Sequence, residues 1–101
     1  MQIVIKKVEE VGEIIEVENT LNVFQKIVNG YIEIFRLTDE IAIVLNEEGK
    51  LFELDVNFGI PCDDGSIEVI VGDVAFVRIN NEDFSDLLDE DIDFLRLIGI
   101  L

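Results

Sequence analysis

The stretch Val17–Leu37, "VENTLNVFQKIVNGYIEIFRL", changes its hydrophobic rhythm twice, and those changes decide the fold. Asn19 or Thr20 offers a side-chain oxygen that can cap a helix. Leu21, Phe24, Ile27 and Val28 then share one face at helical spacing, and Gly30 is the expected left-handed residue that ends the helix. From Tyr31 to Leu37 apolar and polar residues alternate, the period of a half-buried strand.

The flanks fit around this helix. Met1–Val8 ("MQIVIKKV") is rich in β-branched residues, "EEVG" turns the chain, and Glu13–Glu18 ("EIIEVE") returns it, giving a hairpin. Beyond Leu37, Thr38-Asp39 is a short turn and Glu40–Asn46 ("EIAIVLN") another strand. "NEEGK" signals a tight connection, and Leu51–Val56 is expected to continue as strand. Asn57–Ser66 ("NFGIPCDDGS") holds the sole proline and is the expected irregular stretch. Ile67–Ile79 reads as one strand bent at Gly72-Asp73, and Asp89 as the cap of a C-terminal helix with Ile92, Leu95 and Ile98 inward. The fold class is α+β over one domain, residues 1–101: a mainly antiparallel sheet, one helix after the first hairpin, and a short C-terminal helix.

Half of the 101 residues are apolar, enough for a core and unlike a disordered chain. Twenty-three acids oppose seven bases, a formal charge of −16. That surface repels phosphate backbones and anionic membranes, and it favours basic partners with salt-sensitive association. Cys62 is the only cysteine, so no internal disulfide forms, and a bacterial cytoplasm is the expected location. No apolar run approaches the roughly 20 residues of a membrane span.

In their order, "VENTLNVFQKIVNGYIEIFRL", "NEEGKL" (Asn46–Leu51), "VGDVAFVR" (Val71–Arg78) and "DEDIDFL" (Asp89–Leu95) resemble the bacterial and phage domain-of-unknown-function family DUF3846. The resemblance implies a small accessory protein of a phage or mobile element, and it carries no catalytic residues over. The segment Asp55–Ser66 and the apolar C-terminal end depart from the pattern.

Catalysis and metal binding find little support. Histidine is absent, which excludes Ser-His-Asp and Cys-His chemistry and imidazole ligation. Cys62 precedes Asp63 and Asp64, whose charge disfavours the thiolate a nucleophile needs. No glycine-rich phosphate loop occurs. Asp89, Asp91 and Asp93 imitate the start of an EF-hand loop, but Phe94 stands where its glycine belongs and Ile100 where its glutamate belongs. The expectation is a protein without enzymatic activity, metal or cofactor.

What stands out is seven carboxylates within twelve residues: Glu82, Asp83, Asp86, Asp89, Glu90, Asp91 and Asp93. Fully helical, that segment would span about 18 Å. Its charges would fall every 2.6 Å or so, approaching the spacing of about 1.7 Å along duplex DNA. An acidic surface centred there is the expected binding site for a basic host protein, a restriction or CRISPR nuclease, which it would inhibit as a DNA mimic without itself binding nucleic acid. A solvated, purely solubilising face is the competing explanation. Two alternatives stay open. Leu97, Ile98, Ile100 and Leu101 form a candidate homo-oligomer interface of a scaffolding module. A protein that sequesters a nucleotide signal would need folding to gather Arg36, Arg78 and Lys50 from the scattered bases.

Overall fold

A computed structural model describes all 101 residues. The strands are β1 (Gln2–Lys6), β2 (Glu13–Glu16), β3 (Ile32–Arg36), β4 (Ile41–Asn46), β5 (Val56–Pro61), β6 (Ile67–Val71), β7 (Val74–Asn80) and β8 (Asp83–Ser85). The helices are α1 (Leu21–Val28) and α2 (Asp89–Leu97). The main sheet is antiparallel in the order β2-β1-β7-β4-β3, with β8 paired to the C-terminal half of β7 beside the start of β1. β5 and β6 form a separate two-stranded hairpin. The fold is α+β, with helix after the first hairpin and at the C-terminus.

Both faces of the sheet are covered, which is why β4 reads "IAIVLN", apolar in its first five residues and buried along its whole length. On one face, Ile3, Ala42, Val44, Ala75 and Val77 meet Phe24 and Val28 of α1. The two alanines let the helix approach closely. On the other, Val4, Ile41, Ile43, Val74 and Phe76 are covered by α2 through Ile92 and Leu95, and by the β5–β6 hairpin. Phe58 of β5 stacks on Phe76 at 5.8 Å between ring centroids.

Local chemistry corrects several expectations. Thr20 caps α1, its Oγ1 accepting from the Val23 N–H at 3.3 Å. Of the proposed apolar stripe Phe24 and Val28 are buried and Ile27 partly so, while Leu21 is 57 % exposed because it lies in the solvent-facing first turn. The left-handed terminus is Asn29 (φ 61°), not Gly30. Asn46 of β4 supplies what the helix end lacks: its Nδ2 donates to the carbonyls of Val28 at 3.1 Å and Asn29 at 3.3 Å.

Leu51–Glu53 is turn, and the strand begins only at Val56, so the first half of the segment expected to be irregular, Asn57–Pro61, is β5, while Cys62–Ser66 is the irregular turn. Pro61 is tolerated because it ends a strand whose hairpin has no further partner. Ile67–Ile79 is two strands in two sheets: Gly72, at φ +75°, swings the chain from the hairpin into the centre of the main sheet. The cap of α2 is Leu88 rather than Asp89, and the Asp91 carboxylate accepts from the Leu88 N–H at 2.8 Å.

The C-terminus of α2 is a Schellman motif. Gly99 is left-handed (φ +90°), the Ile100 N–H donates to Leu95 O at 2.9 Å and the Gly99 N–H to Arg96 O at 3.2 Å. This reversal tucks Ile100 into the core, where its carbonyl accepts from the Gly12 N–H at 2.7 Å. Leu101 packs against the same cluster. Half of the candidate oligomer interface is therefore core: Ile100 and Leu101 are spent internally, leaving Leu97, 83 % exposed, and the half-exposed Ile98. Ile98 does not serve the buried face of α2; Phe94 packs there instead.

Candidate functional site

The segment from Glu82 to Asp93 is not one helix. Asn81 (φ 51°) and Glu82 (φ 72°) form the tight turn between β7 and β8, Asp83–Ser85 is strand, and α2 starts only at Asp89. A helical ladder of seven charges does not exist. Asp91 leaves the surface altogether: 4 % exposed, its two carboxylate oxygens lie 2.7 and 2.8 Å from Arg78 Nη1. That hydrogen bond raises the pKa of the Arg78 guanidinium above its ordinary value, against the opposing effect of desolvation. Arg78 Nη1 also lies 3.8 Å from the exposed Glu90. Asp86 has a structural duty, since its Oδ1 accepts from the Gln2 backbone N–H. Asp93 sits in the second turn of α2, 3.9 Å from Arg96. Asp91 and Asp93 thus point to different partners, and no three carboxylates converge as a metal site.

What replaces the ladder is a pole built by strand register. β4 begins opposite the end of β7 (Ile41 with Arg78), and the Ile79 N–H donates to Glu40 O. This places the β3–β4 turn, with Asp39 and Glu40, beside the β7–β8 hairpin, with Glu82 in its turn and Asp83 at the start of β8. Gln2 pairs with Glu16, so β1 begins and β2 ends at the same end of the sheet. Asn19, just past β2, donates its side-chain N–H to Phe84 O at 3.2 Å, bringing Glu18 there too. Asp86 is tied to Gln2, and the first turn of α2 to Arg78, which adds Asp89 and Glu90.

Nine carboxylates are exposed at this end: Glu16, Glu18, Asp39, Glu40, Glu82, Asp83, Asp86, Asp89 and Glu90. With buried Asp91 they make ten negative charges, against three positive ones on Arg36, Arg78 and the Met1 amino group, an excess of seven. All three cations are engaged. Arg78 holds Asp91, Arg36 donates to Asp39 O at 3.2 Å, and the Met1 amino group donates to Glu16 Oε1 at 2.9 Å. Glu16, Glu18, Asp39 and Glu40 were invisible as members because they lie far from the cluster in sequence. Only the pairing of β1 with β2 and of β4 with β7 brings them in.

The remaining candidates separate. Lys50 pairs with Glu68 at 3.3 Å, and neither it nor Arg36 lines the space around Arg78, so the three bases do not form one pocket. The cavity beside Arg78, bounded by Thr38, Glu40, Glu90, Asp91 and Phe94, encloses about 250 Å³. That is below the roughly 300–1,000 Å³ of small-molecule sites. Cys62 is half-buried in the β5–β6 turn, its Sγ 3.6 Å from Ile60 O. No helix is long and apolar enough to cross a membrane.

The geometry defines a class: a histidine-free α+β domain with a two-sided core and an acidic pole assembled from five chain segments. The sequence model of the family described as "Domain of unknown function (DUF3846)" matches residues 1–98, and the chain belongs to that family. Comparisons with curated proteins and with solved structures gave no match.

Proposed function

We propose that the chain is a non-catalytic anionic binding protein whose acidic pole engages the Lys/Arg-lined surface of a nucleic-acid-directed host protein and competes there with nucleic acid. The observation that carries this reading is the excess of seven negative charges at one end of the sheet, with every local cation already hydrogen-bonded. A rigid sheet end presents those charges without the ordering cost that a flexible polyanion meets on binding. A basic channel built for phosphates gains from closely spaced anions whatever their covalent carrier. Inhibition follows from occupancy, so no reaction is required of the chain.

The test is charge removal without loss of fold. Glu40→Gln, Glu82→Gln, Asp83→Asn and Asp89→Asn together lower the formal charge from −16 to −12. None of these four side chains accepts a hydrogen bond that holds the structure, unlike Asp86 and Asp91. Wild type and variant are used to capture protein from a bacterial lysate at about 50 mM salt, where screening is weak. A basic nucleic-acid-binding protein retained by wild type and lost by the folded variant supports the proposal. Equal retention by both reduces the pole to a solvated surface.

A further inference from the structure

A groove on the α2-covered face of the sheet carries different chemistry. It opens between the β5–β6 hairpin and the C-terminal half of α2, over the sheet face that bears Phe76, and encloses about 420 Å³. Phe58 and Ile60 form one wall and Phe94 and Ile98 the other, and the fully buried Phe76 backs Phe58 from beneath. This is the size and apolar lining of a small-molecule site. At one end stands Lys6, 9 % exposed.

Lys6 is placed there by register. Ile3 and Ile5 face α1, so Val4 and Lys6 face the groove side of β1. Its ammonium donates to Lys7 O at 3.0 Å and to Asn57 Oδ1 at 2.9 Å. Asn57 is itself locked, its Nδ2 donating to Lys6 O and Gly72 O at 2.8 Å each. Two neutral acceptors leave one of the three ammonium protons over. No carboxylate of a chain holding 23 forms an ion pair with it. A buried cation without a counter-ion is costly, and a methionine would fill the same volume without that cost. The groove's apolar walls and its single uncompensated charge are complementary to one kind of molecule.

We infer that this groove binds a small amphipathic carboxylate, its apolar body between the Phe58–Ile60 wall and the Phe94–Ile98 wall, and its carboxylate on Lys6 Nζ. The site is separate from the acidic pole and does not depend on it. An anion enters despite the overall negative charge because the groove itself is lined by no acidic residue.

The probes are octanoate and octanol, which share an apolar body and differ in the head group. Each is titrated into the full chain while backbone amide resonances are followed. Octanoate is expected to shift the amides of Lys6, Asn57–Ile60 and Phe94–Ile100 saturably, and to bind about tenfold more tightly than octanol, the worth of one charge-assisted hydrogen bond. Lys6→Met should abolish that preference. Ile98→Trp, at a half-exposed position on the rim, should block both probes and serves if Lys6→Met fails to fold. Absence of saturable shifts in the groove overturns the inference. So does equal affinity for acid and alcohol, or octanoate binding unchanged in either folded variant.

Discussion

Replacing Phe24 by alanine tests how α1 is held. Phe24 is 1 % exposed, packs with Ile3, Ala42, Val44, Ala75 and Val77, and meets Phe84 edge-on at 5.0 Å between centroids. It is the larger of the two fully buried anchors of an eight-residue helix, which is too short to persist in water by itself. Large-to-small changes at such sites cost about 3–5 kcal/mol. The upper half of that range applies, because Ala42 and Ala75 of the same buried cluster are too small to refill the space. About 4 kcal/mol is a large part of the 5–15 kcal/mol or so available to a domain. Urea denaturation should show the midpoint falling by that free energy divided by the slope, about 1.3–4 M for slopes of about 1–3 kcal/mol/M, with the slope itself unchanged. A cycle with Phe84→Ala should return a coupling of roughly 0.5–1.5 kcal/mol from the edge contact. Leu21→Ala, in the same helix but exposed, should change stability by less than about 0.5 kcal/mol. A loss below about 1 kcal/mol for Phe24→Ala would refute the packing of α1 on this face.

Asn46→Ala should cost about 1–3 kcal/mol, because the carbonyls of Val28 and Asn29 and the Glu48 N–H lose their partner together. Amide exchange should rise in α1 before it rises in β4. In the β5–β6 turn, the Asp64 carboxylate accepts from the Ser66 hydroxyl and N–H, which holds its pKa below the ordinary 3.8. A depressed value stabilises the folded turn above pH 3.8, and the contribution disappears as pH falls through the lower folded value. An NMR titration should place the Asp64 midpoint below 3.8 in the wild type, and Ser66→Ala should move it upward.

The helix of Val17–Leu37 was legible because cap, stripe and strand alternation agree within twenty-one residues. The first hairpin and the strands around Thr38-Asp39 were legible for the same local reason. β5 was not, since Gly59 and Pro61 beside the true turn at Gly65 imitate a longer loop, and stacking of Phe58 on Phe76 decides otherwise. β8 is three residues held by pairing with β7 alone, which leaves little periodicity to detect. At the site, the density of acids in the C-terminal fifth was plain. That Asp91 is internal depends on Arg78, thirteen residues away, and the rest of the pole on sheet register. The tail looked like an interface because an apolar run gives no sign of reversing until Gly99 is seen in its Schellman turn.

The central claim is that the acidic pole occupies a surface made for nucleic acid. Its most direct measurement is the affinity of the wild-type chain for its captured partner across a salt series, with duplex DNA as competitor. The account predicts a logarithm of affinity that falls linearly with the logarithm of salt concentration between about 50 and 200 mM, as phosphate contacts do. It also predicts mutual displacement, each ligand raising the apparent dissociation constant of the other in proportion to its concentration. A partner that holds the chain and duplex DNA at the same time, with affinity indifferent to salt, would contradict it.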